Sequence, residues 1–168
     1  MGMDVFGKEP SSEAGKYFRC NVWWWRPLWD YACSVGRTVI SPEMHQQGHH
    51  NDGAGLDDAK SKELAALLQA ELESGRTADF AIKRQRALAA LPLHDCPHCG
   101  GSGVRTDEVG VRMGMPERMN PHTDKPGWCN GCDGKGTQPD EETQYSFSAE
   151  TVQKFAVFLD ACGGFEIW

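Results

Sequence analysis

The sequence predicts an α+β protein, mainly helical, in which a small helical domain carries a zinc-clipped β-hairpin or knuckle as an insertion. Three observations lead to this class. Amphipathic segments with helical spacing occur on both sides of the predicted insertion. Between them, the pattern Cys-x-x-Cys-x-Gly-x-Gly occurs twice, at residues 96–103 and 129–136. The composition, 39% hydrophobic and 24% charged, is that of an ordinary globular domain.

These features divide the 168 residues into three predicted parts. Residues 1–94 form a Trp-rich N-terminal region and a helical hairpin. Residues 95–137 form a four-cysteine zinc-binding module, and residues 138–168 form a C-terminal helix and short strand that pack back on the helical body. One domain with a metal-stapled insertion suits a chain of this length better than two independent domains.

The N-terminal part begins with a polar segment, residues 1–20, which we expect to form an extended arm packed on the body. Four of the six tryptophans follow between Trp23 and Trp29. A helix is predicted over residues 25–35, with Pro27 tolerated in its first turn. We interpret these aromatic residues as core. The alternatives are a stacking platform for bases or an exposed patch for a partner.

A His-rich stretch after the tryptophans is a candidate metal or catalytic site. His45 and His49 are four residues apart, the spacing of metal ligands on one helical face, and Asp52 could serve as a third ligand. With His50, these residues would form the site of a metal-dependent hydrolase. Gly48 argues against a stable helix here, so the simpler expectation is a turn.

Leucines at positions i, i+3, i+4 and i+8 predict a helix over residues 57–75. A second helix is predicted over residues 78–90, capped by Thr77, and the short connection favours an αα-hairpin. The basic cluster at residues 83–86 is interpreted as a solvated helix face, with nucleic-acid binding as the alternative.

The C-terminal part begins with an acidic linker at residues 138–144. Ser148 is predicted to cap a helix over residues 149–162, which Gly163 ends. Residues 165–168 alternate apolar and polar side chains and predict a short strand or an apolar clamp.

The candidate metal ligands are Cys96, Cys99, Cys129 and Cys132. Four thiolates are the ligand set that closes a tetrahedral structural Zn²⁺ site, so we predict one structural zinc. The glycines after each pair allow positive φ and direct N–H groups toward the sulfurs. No catalytic residue and no organic cofactor is predicted. A thiol redox role is the weaker alternative, because these glycines and the absence of a βαβ context argue against it.

The long stretch between the two cysteine pairs is predicted to contain short strands at residues 104–106 and 109–112. Residues 113–126 are rich in Met, Pro, Asn and Gly and predict an irregular loop, a suitable place for recognition. His98 and His122 are interpreted as bystanders, because four thiolates already complete a tetrahedral shell.

The doubled pattern resembles the cysteine-rich zinc module of DnaJ-type co-chaperones. The matching positions are Cys96, Cys99, Gly101, Gly103, Cys129, Cys132, Gly134 and Gly136. That family typically carries four such repeats and two zinc ions, whereas this chain has two repeats and lacks the His-Pro-Asp signature of a J-domain. A similar pattern occurs in the small anti-TRAP proteins, which inhibit an RNA-binding regulator by protein contact. The resemblance implies a zinc-stabilised binding surface in a bacterial or bacteriophage protein rather than an activity.

The formal charge of −7 disfavours non-specific binding to nucleic acid or an anionic membrane. No secretory signal or long apolar stretch is evident, so we expect a cytoplasmic protein without membrane association. The predicted function is a non-enzymatic, zinc-binding module for protein–protein interaction or regulation, with a protein partner. The alternatives are a nucleic-acid-binding protein that uses the Trp cluster and basic helix face, and the hydrolase described above.

Overall fold

The computed structural model describes residues 2–168, which divide into two compact units. Unit 1 comprises the chain up to Ala87 together with Gln144–Trp168, and unit 2 comprises Leu88–Thr143. Six α-helices and two small antiparallel sheets lie within the described residues. The predicted α+β class is therefore confirmed.

The strands are β1 (Gly2–Gly7), β2 (Tyr17–Asn21), β3 (Gly55–Leu56), β4 (Leu93–Asp95), β5 (Thr137–Pro139) and β6 (Phe165–Ile167). The α-helices are α1 (Val22–Val35), α2 (Pro42–Gln47), α3 (Asp58–Glu73), α4 (Arg76–Ala89), α5 (Glu108–Arg112) and α6 (Ala149–Ala161). Across residues 2–168, none of these helices has the length and apolar character needed to span a bilayer.

The sheet of unit 1 has the order β2-β1-β6-β3, with every neighbouring pair antiparallel. The predicted extended arm forms the hairpin β1–β2, in which Gly2 lies opposite Asn21. Strand β6, predicted from its alternating pattern, pairs with β1 on one side and with β3 on the other. The C-terminal strand is thus an inner strand of this sheet.

Helix α6 begins after its predicted cap, Ser148, and helix α3 begins at Asp58, one residue inside its predicted range. The Asp57 carboxylate accepts a hydrogen bond from the Lys60 amide at 2.8 Å, and the Ser148 hydroxyl accepts one from the Thr151 amide at 3.2 Å. The prediction for Thr77 is wrong. Because α4 begins at Arg76, Thr77 lies inside its first turn, is fully buried, and shares a hydrogen bond with the Tyr31 hydroxyl at 2.9 Å.

The tryptophan segment is divided between core and surface. Trp25 and Trp29 are fully buried and stack with ring centroids 5.5 Å apart, whereas Trp23 and Trp24 are 37% and 38% exposed. Helix α1 starts at Val22, three residues earlier than predicted, since the Asn21 side chain accepts a hydrogen bond from the Trp23 amide. The core interpretation therefore holds for two of the four tryptophans.

The His-rich stretch contains a helix where the sequence favoured a turn. Helix α2 is capped by Ser41, whose hydroxyl accepts a hydrogen bond from the Met44 amide at 3.2 Å, and Pro42 occupies its first position. Gly48 ends this helix rather than preventing it. As a result, His45 lies in the last turn of α2 and His49 follows just after it.

The strands predicted at residues 104–106 and 109–112 are absent from the described chain. Residues 108–112 form α5, and the Asp107 carboxylate accepts a hydrogen bond from the Gly110 amide at 2.7 Å. An N-terminal cap of this kind satisfies a free amide of the first turn. The local cap therefore outweighs the β-propensity of Val109 and Val111.

Candidate metal centre

Strands β4 and β5 bring the two cysteine pairs together in unit 2. Leu93 lies opposite Pro139 and Asp95 opposite Thr137. Immediately beyond this ladder, the Cys96 amide donates to the Gly136 carbonyl at 2.8 Å. The first pair therefore leaves the ladder at the point where the second repeat returns to it.

The four cysteine sulfurs form one cluster, all within 4.8 Å of one another. The sulfur atoms of Cys96 and Cys129 are 3.9 Å apart, and those of Cys99 and Cys132 are 3.8 Å apart. Zn–S bonds of about 2.3 Å at tetrahedral angles require sulfurs about 3.8 Å apart. The cluster is therefore compatible with a metal such as zinc.

The closing glycine of each repeat supports one sulfur. The Gly103 amide donates to Sγ of Cys99 at 3.3 Å, and the Gly136 amide donates to Sγ of Cys132 at 3.2 Å. Both glycines have positive φ, +75° and +83°. A Cβ on Gly103 would lie 2.6 Å from the Gly134 carbonyl oxygen, and one on Gly136 would overlap the Gly101 carbonyl. The two repeats therefore pack backbone to backbone in a reciprocal arrangement that only glycine permits.

Burial and hydrogen bonding act differently on these thiols. Burial raises the pKa of Cys96 and raises that of Cys132 to about 12. At Cys99 burial acts in the same direction, but the donated Gly103 amide and the neighbouring sulfurs hold the pKa below its ordinary value. Burial therefore favours the neutral thiol at Cys96 and Cys132, whereas the environment of Cys99 favours the thiolate.

No protein-family model, curated protein or solved structure matches this chain. The resemblance to the DnaJ-type zinc module consequently depends on the two cysteine repeats themselves and remains a prediction.

The stretch between the pairs is irregular but has two buried anchors. Met115 is 1% exposed, and its carbonyl accepts a hydrogen bond from the Trp128 amide at 2.9 Å. The buried Asn120 side chain donates to the Gly134 carbonyl at 3.0 Å and accepts from the His122 amide at 2.9 Å. The second anchor thus connects this stretch directly to the second cysteine repeat.

The two histidines interpreted as bystanders do not belong to the sulfur cluster. His122 lies 2.9 Å from the Asp133 carboxylate through Nε2. The ring of His98 lies against Gly131, where a Cβ would overlap it. Each histidine therefore has a structural contact near the cluster.

A second group of ligand-type side chains lies in unit 1. Nε2 of His45 and Nε2 of His49 lie 2.7 Å and 3.1 Å from the same oxygen, Oδ1 of Asp30. Hydrogen bonds from His49 and His45 hold the pKa of Asp30 below its usual range against the opposing effect of burial. The sequence identified His45 and His49, but it named His50 and Asp52 as their companions, and neither belongs to this group.

Asp30 is the residue that sequence reasoning missed. It lies on α1, whereas both histidines follow in the α2 region, so only the packing of these segments brings the three together. The sequence feature that could have indicated Asp30 is an acidic side chain between Trp29 and Tyr31, surrounded by apolar residues of the predicted helix.

The basic cluster of α4 is only partly free. The Arg84 guanidinium donates to the Tyr145 carbonyl at 3.1 Å, while Lys83 and Arg86 are exposed. Tyr145 also packs against Trp23, with ring centroids 5.0 Å apart. Part of the basic face and one exposed tryptophan are therefore engaged within unit 1.

Proposed function

We propose that unit 2 is a zinc-stabilised interaction module in which one structural Zn²⁺ is held by Cys96, Cys99, Cys129 and Cys132. The observation that carries this proposal is the sulfur spacing of 3.8–3.9 Å, which fits a tetrahedral zinc–thiolate site. With four protein ligands the shell is closed, so the metal serves folding rather than catalysis.

The surface of unit 2 supports a protein partner. Val109 and Met113 lie four residues apart, on one face of α5 and the turn after it, and are 37% and 50% exposed. Val111 and Met119 are more exposed, at 57% and 56%. Exposed apolar side chains on a rigid support favour contact with another protein, and flexible methionines adapt to such contacts.

In this proposal the module is a single-site counterpart of the DnaJ-type zinc module. Its two repeats, half the usual number, supply one metal site, and the role of that site is to hold a recognition surface in place. The function is binding or regulation without catalysis in unit 2.

Cobalt substitution tests the metal site in the full chain. Thiolate-to-cobalt charge-transfer absorption should saturate at one Co²⁺ per chain and disappear when Zn²⁺ is added. Cys129→Ser should abolish this band, because three thiolates no longer close the shell. Cys20→Ala, which removes a buried thiol in unit 1, should leave it unchanged. A wild-type protein without the band would overturn the proposal.

The interaction surface is tested by affinity capture from host lysate with matched variants. Met113→Asp and Met119→Asp should abolish the capture of a partner that wild type retains, while cobalt binding stays intact. The control is Val157→Asp, which places the same charge on an apolar residue of unit 1 that is 46% exposed. Equal loss with all three variants, or no loss with either methionine variant, would contradict a partner surface in unit 2.

A further inference from the structure

The convergence of Asp30, His45 and His49 has the composition of a metal site. Two imidazole nitrogens and one carboxylate oxygen are a ligand set that zinc and related divalent metals accept. Their three ligand atoms lie within 4.8 Å of one another. Both histidines present the same ring nitrogen, Nε2, to a single carboxylate oxygen.

The distances from the two histidine nitrogens to Asp30 are close to those between two ligands of one metal ion. With metal–ligand bonds of about 2.0–2.1 Å, neighbouring ligand atoms are separated by about 2.9 Å at right angles and about 3.3 Å at tetrahedral angles. The Asp30 oxygen lies 2.7 Å from Nε2 of His45 and 3.1 Å from that of His49. Shifts of a few tenths of an ångström therefore bring the two histidine–Asp30 pairs to coordination distances, and the two histidine nitrogens already lie within 4.8 Å of each other.

The backbone that carries the histidines is fixed by the two buried tryptophans. The Trp29 indole N–H donates to the His45 carbonyl at 2.9 Å, and the Trp25 indole N–H donates to the Gly48 carbonyl at 2.7 Å. Both tryptophans lie on α1, the helix that also carries Asp30. Helix α1 thus supplies the carboxylate and anchors the backbone at His45 and at the residue before His49, which limits how far the two histidines can move from Asp30.

One side of the group is open. A groove of about 410 Å³ is lined by Asp30 and His45, together with Arg37 and neighbouring side chains of α1 and α2. Three protein ligands with an open side leave a coordination position for water or another small ligand. The closed cysteine cluster of unit 2 has no such position.

A simple ion-pair role accounts less well for this arrangement. Exposed ion pairs contribute little to stability, and the Asp30 side chain is 56% exposed. The α2 region is already attached to α1 through the two indole hydrogen bonds. One histidine would be enough to form an ion pair between the α2 region and α1, whereas two histidines converge on one carboxylate oxygen.

We propose that Asp30, His45 and His49 bind one divalent transition-metal ion of the zinc class, with an open coordination position facing the groove. This site is independent of the cysteine cluster and differs from it in kind, because its ligands are nitrogen and oxygen and its shell is incomplete.

The test uses the full chain with the cysteine cluster already filled by Zn²⁺. Isothermal titration with Zn²⁺ should then show about one further equivalent per chain. Adding Co²⁺ instead should give visible absorption without a thiolate charge-transfer band, because its ligands are nitrogen and oxygen. Asp30→Asn and His45→Gln should each weaken this second binding at least about tenfold, since loss of a ligand exceeds the effect of losing an outer contact.

The controls are His50→Gln and Asp52→Asn, which change the adjacent histidine and aspartate that lie outside the group. Both should bind the second metal as wild type does. Circular dichroism should show native helix content in every variant, and if one ligand variant fails to fold, the other decides. A wild-type chain that binds no second equivalent would overturn the proposal, as would Asp30→Asn and His45→Gln variants that bind it normally. Failure of the cysteine cluster to bind metal would be detected separately, because it is measured by the thiolate-to-cobalt charge-transfer band.

Discussion

Substitution of Gly48 by alanine tests how rigidly α2 is packed against the tryptophan pair. Gly48 has φ −65° and ψ −6°, a conformation that alanine adopts without strain. A Cβ built there, however, would lie 2.5 Å from Cζ2 of Trp29 and closer still to Cε2 and Nε1. Normal carbon–carbon contacts are about 3.5–4.0 Å, so either the indole or the α2 backbone must move by about 1 Å.

Two opposing terms set the magnitude. Replacing glycine by alanine at a compatible backbone position stabilises a protein by about 0.4–1 kcal/mol through the unfolded chain. Overpacking against a rigid buried neighbour costs about 1–3 kcal/mol. Trp29 is fully buried and held by its hydrogen bond to the His45 carbonyl. We therefore expect Gly48→Ala to lower the free energy of unfolding by about 1–2 kcal/mol.

Urea denaturation followed by far-ultraviolet circular dichroism measures this change in the free energy of unfolding. A double-mutant cycle with Trp29→Phe tests whether the change arises from the contact between residue 48 and Trp29. Phenylalanine lacks the five-membered ring of the indole that the new methyl group would meet, so Gly48→Ala should cost less in the Trp29→Phe background. An equal cost in both backgrounds, or a more stable Gly48→Ala protein, would refute the proposed packing.

Three further predictions concern the glycines, the thiols and a buried hydroxyl pair. Gly136→Ala should weaken zinc binding in chelator competition at least about tenfold, because the new Cβ displaces the amide that donates to a ligand sulfur. Gly114→Ala is the control, since Gly114 also has positive φ (+69°) but no atom lies near its Cβ position; equal losses would mean that backbone strain alone matters. Zinc uptake at pH 7 should release at least about two protons and should weaken as pH falls, because burial raises the pKa of Cys96 and raises that of Cys132 to about 12, and the metal must displace the protons of both thiols. Titration calorimetry in buffers of different ionisation enthalpy measures the proton release, and a release near zero would contradict thiolate ligation. Tyr31→Phe should destabilise the protein by about 1–3 kcal/mol in urea denaturation by leaving the buried Thr77 hydroxyl unpaired. Adding Thr77→Val should recover part of this loss, and no recovery would mean that the pair is not coupled.

The long helices were accessible from the sequence because local signals and tertiary packing agree there. Leucine spacing predicts α3, and the Ser148 cap predicts the start of α6. Of the four leucines that predict α3, Leu64 and Leu68 are fully buried, and Leu67 and Leu72 are partly buried. The cysteine cluster was equally accessible, since the spacing within each pair is itself the chemical signal.

The errors have identifiable physical causes. At α5, β-branched residues predict a strand, but the preceding Asp107 supplies a helix cap that a four-residue window does not weigh. At α2, Gly48 predicts a turn, but it lies one residue past Gln47 and therefore ends the helix instead of interrupting it. Asp30 could not be assigned to the histidines because its partners are distant in sequence, and no periodic pattern reports such a contact.

The pairing of Leu93 with Pro139 has a further consequence for how this chain can change over evolution. Neighbouring strands lie about 4.8 Å apart, so the chain leaves and re-enters at nearly the same point in space. Residues 94–138 can therefore be gained, lost or exchanged as a block, with a tight turn closing the gap at small entropic cost. The zinc-binding segment is in this sense a cassette, and outside its cysteines and glycines its sequence can change without altering the path of the chain on either side.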